Sequence, residues 1–145
     1  MTYDFKLSCT LPASPQAVYD AWLDSAAHSA MTGGGANIVN GVGGVYSAWD
    51  GYIAGETIEL VPAKRIVQTW RTTQFAGHDP DSTITVDLEP IRTGTRLTLT
   101  HSGVPDGQTS YQNGGWRDYY FAPMKAYFAS AKANRRRAGK PAGAA

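Results

Sequence analysis

The sequence has 145 residues, 42% apolar and 17% charged, with a formal net charge of +1. That balance excludes an intrinsically disordered chain and removes any whole-molecule field toward a polyanion. One cysteine, Cys9, excludes an internal disulfide framework, and no signal-peptide pattern or run of 18 apolar residues occurs, so a cytoplasmic protein with no membrane span is expected.

Residues 3–11 alternate. Tyr3, Phe5, Leu7, Cys9 and Leu11 fall on one face, the period of a half-buried strand. Ser14 before Pro15 is a helix start, and Val18, Tyr19, Trp22 and Leu23 recur at helical spacing. Asp24 caps a second short helix through about Met31, which Gly33-Gly34-Gly35 ends. Glycines then separate short segments, and strands are expected near 36–40, 44–50, 52–61, 65–73, 82–90 and 94–102. In 82–90, Ile84, Val86 and Leu88 share a face. In 94–102, Leu97, Leu99 and His101 do. Each strand therefore has one buried and one wet side. For 44–50 either Tyr46 and Ala48 or Val45 and Ser47 could face inward.

The last element starts around Gly114-Gly115 and runs to about Asn134. Trp116, Tyr120, Met124, Tyr127 and Ala131 form its apolar stripe. Pro123 lies inside it, so a kink is expected there. Strands bracketed by helices indicate an α+β fold. Charge is uneven along the chain. Residues 1–131 hold eight Lys and Arg against twelve Asp and Glu, whereas Lys132, Arg135, Arg136, Arg137 and Lys140 have no acid among them. Residues 1–134 read as one domain and 135–145 as a basic, disordered tail. A cationic helix end suits the helix dipole, and no nucleic-acid partner is assigned.

No phosphate loop, nucleophile elbow or zinc spacing is present, so no metal and no cofactor is expected. His78 reads as a solvated loop residue, and His28, on a short helix, as exposed or capping. His101 continues the inward phase of Leu97 and Leu99 to the end of its strand. An imidazole there either satisfies the core or acts as a general acid or base. Asp50, beside Trp49 and Gly51, reads first as a turn former.

Several segments carry a family likeness: Gly43-Gly44-Val45-Tyr46; Gly51 and Gly55 followed by Glu56, Ile58, Glu59, Leu60 and Pro62; Arg65-Ile66-Val67 with Thr69-Trp70-Arg71; Leu97 to Gly103; and Gly115-Trp116. In this order they resemble the single-domain bacterial relatives of the activator of heat-shock-protein-90 ATPase, within the START-like (SRPBCC) superfamily. The likeness spans roughly residues 3 to 130. It implies a helix-grip fold: a curved antiparallel sheet of six to seven strands around a long C-terminal helix, with two short helices after the first strand. It also implies an apolar cavity between sheet and helix in many members, with lipids, sterols, polyketides and aromatic compounds as ligands. No catalytic set is shared, so none carries over. The chaperone activators have a further N-terminal domain with no counterpart in these residues.

The expected ligand contacts are Tyr46, Gln68, Trp70, His101, Trp116, Tyr120, Met124 and Tyr127. Gln68 is in phase with Ile66 and Trp70, and its inward amide needs a partner, for which a ligand group, water or Tyr127 are the choices. Three functions compete. The first is binding of a small hydrophobic or aromatic molecule. The second is a cyclase- or hydrolase-type enzyme using His101 on a similar substrate. The third is a chaperone-linked protein-interaction module. The sequence leaves a homodimer open.

Overall fold

A computed structural model describes the backbone of residues 2–138 and the side chains of residues 2–131. Strand β1 covers Thr2–Leu11. Its inward residues are half-buried up to Leu11, which is fully buried, and burial pushes the Cys9 thiol up to about 11, which keeps it protonated. Helix α1, Pro15–Leu23, begins where Ser14 Oγ accepts the Ala17 N–H at 3.2 Å. Helix α2, Ser25–Thr32, follows at once, because Asp24 Oδ2 accepts the Ala27 N–H at 2.8 Å. Gly33 stops it in the left-handed conformation, φ 88°.

Six further strands complete the sheet: β2 (Asn37–Ile38), β3 (Val45–Ala48), β4 (Ile53–Val61), β5 (Arg65–Thr72), β6 (Ser82–Ile91) and β7 (Gly94–Pro105). The seven run antiparallel in the order β1-β7-β6-β5-β4-β3-β2, so the first strand lies beside the last. Two are shorter than expected. The glycine-rich 33–44 stretch supplies only two paired residues to β2, and β3 stops at Ala48 because Trp49 and Asp50 turn the chain. The open phase of β3 resolves with Tyr46 and Ala48 inward and Val45 outward.

Chain from Tyr111 to Ala138 returns across the buried face and packs on α2 and β1. It does not begin as a regular α-helix. Residues Tyr111–Gly115 and Arg117–Phe121 form two wide π-type turns, and α3 proper is Ala122–Ala138. The expected disturbance at Pro123 therefore lies upstream. Gly114, φ 121°, breaks the helical backbone, whereas at Pro123 the chain stays helical as it passes from the second wide turn into α3, and its missing N–H ends the wider pattern. The Ala122 N–H reaches back five residues to the Arg117 carbonyl just before it. α3 extends past the expected Asn134, and residues 139–145 of the basic tail lie outside the described residues. No helix among the described residues is long and apolar enough to cross a membrane.

The core is the layer between the sheet and these helices. Ile66, Ile84, Val86, Leu97 and Leu99 from the central strands meet Val18, Leu23, Met124 and Phe128, all buried. One close approach locks β3–β5. Gly55 stands opposite Tyr46, a Cβ there would come within 2.0 Å of the Thr69 carbonyl oxygen, and the Tyr46 hydroxyl donates to that same oxygen at 2.7 Å. Gly55→Ala must push the strands apart, and we expect a loss of about 1–3 kcal/mol, the usual range for overpacking. Urea unfolding followed by circular dichroism measures it. Unchanged stability would mean that the strands are free to separate.

Candidate functional site

Between the β3–β4 hairpin and the wide turns lies a cleft of about 330 Å³. Trp49, Tyr52 and Ile53 come from the hairpin and Trp70 from β5. Ser110, Tyr111, Gly115, Trp116, Tyr119 and Tyr120 come from the approach to α3. The rings pack tilted or edge-on, and Trp70, Trp116 and Tyr120 keep only a sliver of surface. Trp70 stands edge-on to Tyr111 with centroids 5.0 Å apart, and Trp116 lies between Trp70 (5.8 Å) and Tyr120 (4.9 Å).

Two buried histidines hold this wall from behind. His101 is the first. The Trp116 indole N–H donates to its Nδ1 at 3.2 Å. An indole only donates, so the ring proton sits on Nε2, which donates to Ser82 Oγ at 2.9 Å. The Ser82 hydroxyl then donates to the Trp70 carbonyl at 2.5 Å. Burial pushes the His101 pKa down to about 3, so the ring is neutral. A general acid or base needs a nitrogen that reaches the substrate. Here both nitrogens are engaged, and the residue braces Trp116.

His28 is the second, and it overturns the expectation of an exposed residue. It is buried, with Nδ1 2.9 Å from the Trp22 carbonyl and Nε2 3.0 Å from the Tyr120 hydroxyl. A carbonyl only accepts, so the proton is on Nδ1 and Tyr120 donates to Nε2. Desolvation lowers this pKa too, against a smaller opposing effect of the Trp22 carbonyl. Burial raises the Tyr120 hydroxyl, so that it stays a donor. The network continues into the sheet. The Trp22 indole N–H donates to Gln68 Oε1 at 3.1 Å, and Gln68 Nε2 donates to Thr57 Oγ1 at 3.2 Å.

Of the eight expected ligand contacts, the structure brings Trp70, Trp116 and Tyr120 to the cleft. Gln68, His101 and Met124 are fully buried and do not border it. Gln68 is satisfied by Trp22 and Thr57, not by Tyr127, which is half-buried against Phe128 at 5.1 Å. Tyr46 is committed to the Thr69 carbonyl. Trp49, Tyr52, Tyr111 and Tyr119 were not anticipated. The first two flank a turn whose residues read as turn formers, and Tyr111 precedes the helical stripe. Asp50 does form that turn, with Oδ1 accepting the Gly35 N–H at 3.0 Å.

A family model described as "Activator of Hsp90 ATPase homolog 1-like protein" matches residues 12–129. The human activator of 90 kDa heat shock protein ATPase homolog 1 is 30% identical over 128 residues, 88% of this chain and 37% of that protein. This chain spans under two-fifths of the length of the curated relatives it matches first. A solved HSP90 activator from Plasmodium falciparum superposes with a TM-score of 0.78 at 24% identity, covering 86% of this chain and 94% of that one. The Aha1 dimer from Colwellia psychrerythraea gives 0.71 at 18% identity, covering 86% and 95%. At those identities the likeness is one of fold.

Because both histidines are neutral when folded and titrate near 6.5 when unfolded, the unfolded chain binds more protons below that pH. Stability is therefore full above about pH 6.5 and falls as pH drops. For His101 the window runs from about 6.5 down to about 3. Between pH 7 and 5 this group alone removes about 2 kcal/mol. His101→Gln should flatten the urea-unfolding profile by that amount relative to wild type. An unchanged profile would show that the imidazole titrates alike in the folded and unfolded chain.

Proposed function

The chain belongs to the activator of Hsp90 ATPase homolog 1-like family, and we propose that it is a cytoplasmic receptor for a small apolar or aromatic molecule, lipid- or polyketide-like, held between the sheet and the start of the last helix. Residues 1–134 form the binding unit. One observation carries this reading: a cleft of about 330 Å³ walled by aromatic rings, of which Trp116 and Tyr120 have their polar ends hydrogen-bonded in the core. Ligand sites are typically apolar hollows of about 300–1,000 Å³ with a few placed polar groups. Trp70, Trp116 and Tyr120 offer ring surface to the ligand. Gln68, His101, Met124, Tyr46 and Tyr127 act from behind by fixing the wall. Affinity comes from burial, about 25 cal/mol per Å² of apolar ligand surface less the cost of association.

N-Phenyl-1-naphthylamine, a neutral fluorescent aromatic, tests this directly. We expect saturable one-to-one binding by fluorescence and native mass spectrometry. Trp116→Ala should weaken it about tenfold or more, the cost of a lost aromatic contact, with helix content unchanged. No saturable complex with this probe and a panel of similar aromatics would remove the receptor reading.

A second reading, a protein-contact module, has its own support. Val39, Val42, Val45 and Ile58 are about half exposed or more. They gather at the β2–β4 edge, where the Val39 N–H donates to the Val45 carbonyl and the Gly43 N–H to the Thr57 carbonyl. An exposed apolar cluster is a contact surface, and the named relatives are activators of the 90 kDa heat shock protein ATPase. On this reading the chain raises the ATPase rate of Hsp90, and Val42→Lys with Val45→Lys abolishes the increase while probe binding persists. No change in ATPase rate on adding the wild-type chain would count against it. Sedimentation of the same pair of proteins tells whether the cluster instead joins two copies of this chain.

A further inference from the structure

Among the described residues, one buried side-chain polar atom has no hydrogen-bond partner: Nε1 of Trp49, a residue that borders the cleft. Trp49 and Asp50 both have left-handed backbone angles, φ 51° and 58°. A bulky residue holds that conformation only where its surroundings impose it. Here the backbone N–H of Asp50 donates to the Gly35 carbonyl at 2.9 Å, and Asp50 Oδ1 accepts the Gly35 N–H. The indole lies over Gly34, where a Cβ would come within 2.5 Å of the ring. It meets Tyr119 at 83° with centroids 5.5 Å apart. Tyr119 is 59% exposed and is the less constrained member of that pair. A strained, doubly tied turn thus sets an indole beside the cleft with its donor unused.

The second observation is the lining. None of the residues around the cleft is acidic, basic or a histidine. A charged ligand group placed there would lose its water without gaining a counter-ion. A flexible aliphatic chain would lose rotational freedom on binding, whereas a rigid planar ligand does not and suits a cleft walled by aromatic rings, of which Tyr119 is the exposed one.

We propose that the cleft selects an uncharged, flat, conjugated molecule bearing a carbonyl-type acceptor, and that Trp49 reads the acceptor through its indole N–H. The proposal rests on the receptor reading and narrows it. As the rings stand, Nε1 is shut in. A planar ligand that parts Tyr119 from Trp49 brings its acceptor to the indole and satisfies the orphaned donor.

9-Fluorenone and fluorene share one tricyclic frame and differ by a carbonyl in place of a methylene, while dodecanoate supplies an apolar chain with a charge. Each is titrated into the 15N-labelled full chain, and the resonances of the four indole N–H groups are followed, with that of Trp49 assigned by its absence in Trp49→Phe. Fluorenone should bind roughly three- to tenfold more tightly than fluorene, the worth of one net hydrogen bond. It should move the Trp49 resonance downfield where fluorene does not, and dodecanoate should bind most weakly. In Trp49→Phe, which keeps a ring and loses the donor, the two tricyclic compounds should become equal. Equal binding by wild type, a stationary Trp49 resonance under saturating fluorenone, or a preference retained in Trp49→Phe would each overturn the role of Trp49 and leave the receptor reading intact. Tighter binding of dodecanoate would overturn the uncharged class. No binding by any of the three would overturn this proposal, and the receptor reading falls with it only if N-phenyl-1-naphthylamine does not bind either. Should Trp49→Phe fail to fold, the resonance is assigned from the wild-type backbone, and the fluorenone–fluorene comparison decides.

Discussion

Everything in this interior depends on two imidazoles remaining uncharged and carrying their protons on opposite nitrogens. His101 keeps its proton on Nε2 and so offers Nδ1 to Trp116. His28 keeps its proton on Nδ1 and so offers Nε2 to Tyr120. Each choice is forced by the neighbour that only accepts or only donates. Buried polar groups are costly when unpaired, and here the chains of bonds run on until they reach backbone carbonyls or the Thr57 hydroxyl in β4. One network ties the last helix through α2 and α1 to β4 and β5, and the other ties it to β5, β6 and β7. The helices are therefore fixed to the sheet by direction as well as by burial.

That arrangement separates the two ends of each wall residue. The polar ends of Trp116 and Tyr120 are consumed in the core, so only aromatic surface is left for the cleft. It also explains why the hollow lies at one end of the fold. Deeper in, Gln68, His101 and Met124 leave no space, because the network demands close contact at every bond. Near the hairpin the polar ends bond at the rim instead: the Tyr52 hydroxyl donates to Gln74 Oε1 at 3.0 Å and the Tyr111 hydroxyl to Gln108 Oε1 at 2.7 Å, and the hollow opens beside them. The buried, unpaired Trp49 donor belongs to this end.

The fold was largely legible in the sequence because its signals are local. Alternation in β6 and β7, Ser14 with Pro15, and Asp24 before α2 each concern residues within a few positions of one another. The wall was half legible. Trp70, Trp116 and Tyr120 lie on periodic stripes, but their partners do not. Tyr120 bonds a histidine 92 residues away, and Gln68 a tryptophan 46 residues away. α2 gave no warning of His28, since its small residues, Ala26, Ala27, Ser29 and Ala30, form no apolar stripe to show which side faces in. Trp49 was hidden for the opposite reason. Its neighbours Asp50 and Gly51 are ordinary turn formers, and the left-handed backbone beneath an indole appears only once Gly34 and Gly35 come beside it.

The wide turns before α3 decide which rings reach the cleft. Tyr111, Trp116 and Tyr120 are spaced five and then four residues apart. In a regular α-helix each residue advances about 100°, so five residues overshoot the starting face by about 140°, and Tyr111 would point away from Trp116. The non-helical backbone at Asn113 and Gly114 resets that angle, and the bonds around it close over five residues. The Trp116 N–H reaches the Tyr111 carbonyl and the Ala122 N–H the Arg117 carbonyl, which brings all three rings to one side. Pro123 then permits a return to ordinary helix, having no N–H to extend the wider pattern. The apolar stripe read at α-helical spacing from Trp116 onward is real below that point, and above it the same ring-rich face is continued by a different helical geometry. That change of geometry turns a core-facing stripe into the wall of a cleft.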